Sequence, residues 1–233
     1  MSELQELAKI FDADDVSWIH DGVKTEKELV ERGDGLVKFL FSPFPDLKLE
    51  NGFVALEIGS GLGYIMEGLE RYFRIQGLQV GRIIGLDIAA KMLEKAKARL
   101  SAPPFEFLHY DGVHVPLEDG SLDFVYSVAS LQHIPKRFVY NLFFEIKRLL
   151  SPRGFSLLHL IRFSHIPFCS MHWAEVVRRQ VTEDERSGWI YFYSAEELRW
   201  VLGDGTGFKN VRVVEVGGEA LAVALSNVPT VPS

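Results

Sequence analysis

Cysteine is nearly missing: Cys169 is the only one in 233 residues, so no disulfide within the chain can staple the fold. A reducing compartment, the cytoplasm, is the expected setting. With no second cysteine and no tight group of His, Asp and Glu, no metal site is expected. Long apolar runs are also missing. Nothing approaches the roughly 20 residues that cross a bilayer, so no membrane association is expected. The start, Met1-Ser2-Glu3-Leu4-Gln5-Glu6, lacks the basic-then-apolar pattern of a signal peptide. Basic charge is short: 25 Lys and Arg stand against 32 Asp and Glu, a net charge of −7. Nucleic-acid domains carry basic patches, so a nucleic-acid partner is not expected. No internal repeat or low-complexity segment appears, and nothing in the sequence encodes an oligomeric state.

What is present is an ordinary share of core-forming residues, 47% hydrophobic and 24% charged, enough for a single domain over 1–233. The stretch that organises it is Phe53-Val54-Ala55-Leu56-Glu57-Ile58-Gly59-Ser60-Gly61-Leu62-Gly63. Its apolar run reads as a buried strand. Leu62, Ile65, Met66, Leu69, Tyr72 and Phe73 then recur at helical spacing. Between strand and helix the glycines let the backbone pass close to a ligand, and the free N–H groups of the first helical turn face it. A dinucleotide fingerprint G-x-G-x-x-G would need glycine at position 64, where Tyr64 stands. The spacing here is G-x-G-x-G.

Residues 1–50 read as a helical cap. Leu4, Leu7, Ala8, Ile10 and Phe11 suggest one amphipathic helix. Leu29 to Phe41 suggest a second, ended by Pro43 and Pro45, with Trp18 and His20 in the link between them. From 51 to 161 the alternation of strand and helix argues for parallel βαβ units. Strands are expected at 53–58, 82–87, 105–109, 122–128 and 155–161, and helices at about 89–100 and from Pro135 to Leu150, stopped by Ser151-Pro152-Arg153-Gly154. Residues 162–193 break the rhythm with Phe163, His165, Phe168, His172, Trp173, Trp189, Tyr191, Phe192 and Tyr193 around a charged middle, and read as a lid. The last unit, 194–226, opens with a capping box at Ser194-Ala195-Glu196-Glu197. It ends in two strand-like runs joined by Gly217-Gly218, an antiparallel hairpin. A doubly wound sheet binds ligands at the carboxyl ends of its strands. Those ends carry Gly59, Gly61 and Gly63, then Asp87, then Asp111 and Gly112, then Ser127.

The glycine motif with Glu57 before it, Gly85-Leu86-Asp87-Ile88-Ala89-Ala90-Lys91-Met92-Leu93, Tyr110-Asp111-Gly112, Gly120-Ser121-Leu122-Asp123-Phe124-Val125, Leu131-Gln132-His133-Ile134-Pro135 and Leu149-Leu150-Ser151-Pro152-Arg153-Gly154 follow one another in a familiar order. In these motifs and in the closing hairpin the chain resembles the class I S-adenosylmethionine-dependent methyltransferases. The resemblance implies an α/β fold: a seven-stranded, doubly wound, Rossmann-like sheet with an antiparallel C-terminal hairpin. It implies S-adenosylmethionine as cofactor and S-adenosylhomocysteine as product. The glycine turn with Ser60 would meet the methionine part, and Asp87 both ribose hydroxyls. Ile88 and Met92 would flank the adenine, Asp111 beside Gly112 would take its exocyclic amine, and Ser127 would lie near the amino-acid end. Glu57 would brace the loop or reach the cofactor amine. The family often has serine where Ala89 stands and Asp-Ala where Asp111-Gly112 stands; neither departure removes a carboxylate. Methyl transfer to oxygen or nitrogen of a small, partly apolar acceptor is the expected reaction, with a protein side chain as a variant. His133 is the candidate base, and Trp18, His165, His172, Trp173 and Tyr193 are candidate acceptor contacts. The alternatives are a nicotinamide-dependent oxidoreductase and a non-catalytic cofactor-binding protein of the same fold.

Overall fold

Strand β1 (Phe53–Ile58) is parallel to β2 (Val80–Asp87) on one side and to β4 (Leu122–Ser127) on the other. Both of its faces are covered, so its side chains alternate between two apolar layers rather than between core and water. Phe53 and Ala55 face one layer with Val37, Leu40, Met66, Leu69 and Phe124, and Leu56 and Ile58 face the other with Val139, Leu142, Phe143 and Ile146. The structure is a computed structural model that describes residues 3–12, 25–162, 190–218 and 220–228.

The seven-stranded sheet runs β3-β2-β1-β4-β5-β7-β6, with β3 at Phe105–His109, β5 at Leu150–Ile161, β6 at Asn210–Val216 and β7 at Ala220–Ser226. The expected closing hairpin is present. β7 is antiparallel both to β5 and to β6, and Gly217 and Gly218 take φ of +61° and +80°, which a tight turn of matching twist requires. Two strands begin earlier than their apolar patterns suggest. β2 starts at Val80, not Arg82, and pairing of β5 starts at Leu150. Ser151-Pro152-Arg153-Gly154 therefore does not separate helix from strand but bulges out between the pairs Leu122–Leu150 and Phe124–Phe155. Asp123 holds this corner, accepting from Val54 N at 3.0 Å and from Ser151 Oγ at 3.2 Å.

Helices α3 (Tyr64–Ile75), α4 (Ala90–Arg99) and α5 (Lys136–Leu149) follow β1, β2 and β4. The helix opened by the Ser194–Glu197 capping box, α6 (Ala195–Trp200), is shorter than expected and passes into one π turn at Val201–Gly205. The N-terminal cap has two parts with different seats. α2 (Glu26–Phe41), opened by a second capping box between Thr25 and Glu28, lies in the layer of α3 and sends Val37, Leu40 and Phe41 into the core. α1 (Glu3–Phe11) belongs to the opposite core through Leu4 and Leu7 and reaches the carboxyl edge: Asp12 Oδ1 accepts from Lys91 N at 2.9 Å, in the open first turn of α4. Among the described residues no helix is long and apolar enough to cross a membrane.

The crossing of α2 and α3 is close because it is made of glycine. A Cβ on Gly33 would stand 2.4 Å from the Tyr64 carbonyl oxygen, and one on Gly68 would stand 2.9 Å from the Gly33 backbone. Gly35, two residues on, has nothing within 4 Å. The two positions should respond with opposite sign. Gly33→Ala should lose about 1–3 kcal/mol by overpacking, whereas Gly35→Ala should gain up to about 1 kcal/mol of helix propensity. Urea denaturation of both variants checks this; equal midpoints would contradict the close crossing.

Candidate active site

The elbow after β1 is closed by the strand beside it. Gly59 N and Ser60 N both donate to the Leu86 carbonyl of β2, at 2.8 and 3.1 Å, and Gly63 N returns to the Ser60 carbonyl at 2.8 Å. Gly59, Gly61 and Gly63 take φ of +76°, +50° and +79°, three left-handed positions that residues with a Cβ resist. Gly59 is also demanded by contact, since its Cβ would fall 1.8 Å from Ser130 Oγ. Gly63 is the N-cap of α3 and supplies no side chain to the first turn.

Asp87, at the end of β2, binds the elbow directly. Its Oδ2 accepts from Gly61 N at 2.8 Å and its Oδ1 from Ala89 N at 2.9 Å. A carboxylate offers about four lone-pair positions, so each oxygen keeps a further acceptor direction. Burial raises the Asp87 pKa, with the N–H groups of Ala89, Gly61 and Ile88 opposing it and Asp12 adding to it. Two residues away along the sheet, Glu57 is fully buried. Tyr126 donates to its Oε2 at 3.1 Å, and Oε1 has no hydrogen-bond partner. Burial, reinforced by Asp87, raises its pKa well above the ordinary range despite the Tyr126 bond.

Asp111 is exposed and shapes its own turn. Oδ1 accepts from Val113 N and His114 N, both at 2.8 Å, and these bonds hold its pKa below the usual carboxylate value. Gly112 lies beneath α1 and beside Ile88: a Cβ there would meet Leu4 Cδ1 at 2.8 Å and Ile88 Cγ2 at 3.4 Å. Met92 Cε would be 3.7 Å from a Cβ on Gly61. Thus Ile88, Met92, Gly112 and α1 gather beside the elbow and Asp87.

The remaining expected contacts lie in varied surroundings. Ser127 Oγ is fully buried and donates to the Ile58 carbonyl at 2.8 Å, tying β4 to β1. Ser60 is buried with an unpartnered hydroxyl. His133 ends a single 3₁₀ turn (Leu131–His133) past β4, half-buried, its ring edge-on to Phe11 of α1 at 6.1 Å. Tyr193 is fully buried, its N–H pairs with the Ile161 carbonyl, and Lys136 Nζ lies 4.6 Å from its ring centroid. Trp18, His20, His165, His172 and Trp173 lie outside the described residues. Two residues not picked out from the sequence matter. Ser130 rests on Gly59, and Arg99 reaches back from the end of α4 to donate from Nε to the Leu62 carbonyl at 3.1 Å. Arg99 also pairs with Glu67 at 2.5 Å and stacks on Tyr64 at 3.9 Å, and Glu67 continues through Arg71 to Asp34 of α2. Only its place in a last helical turn distinguishes Arg99 in the sequence.

The glycine elbow, the strand-end carboxylate bound to it and the antiparallel hairpin closing the sheet are the features on which the sequence resemblance to the class I S-adenosylmethionine-dependent methyltransferases rests. Residues 56–158, somewhat under half of the chain, match the family described as a methyltransferase domain. An uncharacterized 37.1 kDa protein in transposon TN4556 of Streptomyces fradiae is 32% identical over 104 residues, 44% of this chain and 28% of that protein. The chain therefore spans less than a third of that relative's length. Solved structures share the fold at low identity. A chain of the Haloferax volcanii complex between the Trm112 methyltransferase activator and a methyltransferase superimposes with a TM-score of 0.63 at 19% identity, covering 94% of this chain and 98% of that one. An Aquifex aeolicus SAM-dependent methyltransferase gives 0.56 at 20%, covering 88% and 100%. Haemonchus contortus phosphoethanolamine N-methyltransferase 2, in complex with phosphomonomethylethanolamine and S-adenosylhomocysteine, gives 0.60 at 22%, covering 79% and 38%.

The Glu57 carboxyl carries a pH signature. Its raised pKa means the folded protein holds a proton that the unfolded chain releases above its ordinary value of 4.5. This contribution to stability is present below that pH and is lost as pH rises toward the folded value. Glu57→Gln, an uncharged isostere, should remove that decline, so its stability relative to the native protein should rise from pH 5 to pH 8. Parallel denaturation curves at both pH values would contradict the burial account.

Proposed function

We propose that the protein binds S-adenosylmethionine across the elbow and Asp87 and transfers its methyl group, by in-line displacement, to an oxygen or nitrogen of a small, partly apolar acceptor. The Asp87 carboxylate carries this reading: both oxygens are fastened to backbone N–H groups, yet each retains an acceptor direction, which suits a ribose with adjacent hydroxyls. When bound, the cofactor supplies an electrophilic methyl on a sulfonium whose leaving group is a neutral thioether.

The chain's own contribution is then orientation and exclusion of water. Gly59, Ser60, Gly61 and Gly63 allow close approach along the elbow, and Asp87 sets the ribose. Ile88, Met92 and Gly112, under Leu4 of α1, offer an apolar slot for the adenine, and the second oxygen of Asp111 serves the exocyclic amine. Ser127 and Glu57 act from within the sheet, bracing strands β4 and β1. His133 takes a proton only where the acceptor must lose one. The acceptor side falls to 162–193, whose described ends converge at the carboxyl edge: Arg162 pairs with Tyr193, and Tyr191 N donates to the Gln132 carbonyl at 2.7 Å. The aromatic composition of that segment, with Trp18, His165, His172 and Trp173, favours a partly apolar molecule. A protein side chain is the variant. The nicotinamide reading loses support from the antiparallel β7, which stands where a dinucleotide domain has a parallel crossover, and from Tyr64 in place of a third fingerprint glycine.

Calorimetry with S-adenosylhomocysteine separates these readings. The native protein should bind it. Asp87→Asn, which turns one acceptor into a donor, should weaken binding about 10- to 100-fold, the range of a lost hydrogen bond to a charged group. No binding by the native protein would sink the cofactor reading, and unchanged affinity in the variant would sink the ribose assignment alone.

A further inference from the structure

Among the described residues, Ala129 is the one non-glycine with a positive φ, +56°. It sits just past β4, where the chain turns toward His133. A left-handed alanine is disfavoured because its Cβ crowds the backbone, and such a residue persists only where its surroundings over-determine it. What the conformation achieves is visible in the next residue. Ser130 Oγ and Cβ lie 1.8 and 2.5 Å from the point where a Cβ on Gly59 would be, so Ser130 occupies the space that the first elbow glycine leaves open.

One side chain bonds the Ala129 backbone directly. The Ala129 N–H donates to Nδ1 of His159 at 3.3 Å. His159 lies on β5, opposite Ala222 of β7, with its ring edge-on to Phe39 of α2 at 5.5 Å. Burial lowers its pKa to about 4, so the ring is neutral near pH 7, and accepting the Ala129 N–H at Nδ1 requires the tautomer with its proton on Nε2. The first elbow glycine and this turn thus fit each other through Ser130.

We propose that His159 is a positioning residue of the cofactor site: by accepting the Ala129 N–H it holds that residue left-handed and seats Ser130 against Gly59. The inference rests on the cofactor reading of the elbow and extends it to a residue on the opposite side of the sheet's midline, outside the glycine motif. A histidine that merely filled space would leave the backbone of Ala129 unchanged when replaced by another ring.

The first test needs no variant. In the native protein near pH 7 the His159 ring nitrogens should show a proton on Nε2 and none on Nδ1; a proton on Nδ1 overturns the proposal. The second is the Ala129 ¹³Cα and ¹³Cβ shift pair, which reports backbone conformation. In ligand-free His159→Phe, or His159→Leu where the first does not fold, it should leave the left-handed range, and retention of that range overturns the proposal. The third is affinity for S-adenosylhomocysteine. The His159 variant should bind roughly tenfold more weakly. Adding Ala129→Gly, which takes a positive φ without penalty, should return affinity to within roughly threefold of native. A double variant as weak as the single one overturns the proposal. Failure of the native protein to bind at all would count against the cofactor reading, while both resonance measurements still decide the role of His159.

Discussion

The carboxylate of Asp87 is the constraint on which the site depends. Without it, Gly61 N in the elbow and Ala89 N after β2 would lose their acceptor. With it, Gly61 N and Ala89 N point at one charged group, and the two βα turns on either side of the β1–β2 pair become one unit. The Leu86 carbonyl adds two more bonds from Gly59 and Ser60. The elbow is therefore held by strand β2 as much as by its own glycines. The same arrangement orients a charged acceptor toward the carboxyl edge, where an open α/β sheet receives its ligand.

The surrounding helices keep this unit in place by different means. Arg99 ties the end of α4 to the Leu62 carbonyl and passes through Glu67 and Arg71 to Asp34, so that α2, α3 and α4 share one chain of charges. Partly exposed pairs of this kind contribute little to stability one by one; their consequence here is geometric, because they end on the elbow. Close packing does the rest on that side, with Gly33 and Gly68 bringing α2 against α3. On the other side α1 lies over Gly112 and Ile88 and joins Lys91 N through Asp12. The same helix presents Phe11 to His133, so one short element touches both Gly112 and His133.

Much of this was legible in the sequence, for reasons that can be named. The glycine run, Asp87 at a strand end and the Gly-Gly hairpin are local signals, set by φ requirements and by apolar periodicity within a few residues. The capping box at Ser194 is equally local. What escaped depends on partners distant in sequence. Ser127 looked like a ligand contact because it ends a strand, yet its hydroxyl finds Ile58, a residue 69 positions away. Ser151-Pro152-Arg153-Gly154 has the composition of a helix stop; Asp123 converts it into a bulge within a strand that has already begun. Tyr193 shares the aromatic character of the segment before it, but it lies in the core, its backbone bonded to Ile161. Nothing in the pattern around Ala129 announces a left-handed alanine, since the side chain bonded to its N–H is that of His159.

The most direct test of the central claim is a crystal structure of the protein with S-adenosylhomocysteine. The account predicts both ribose hydroxyls on the Asp87 carboxylate, with its bonds to Gly61 and Ala89 intact, and the amino-acid chain of the ligand lying along Gly59 to Gly63. A ligand bound away from Asp87, or an elbow that must abandon its bond to that carboxylate to admit the ligand, would contradict it.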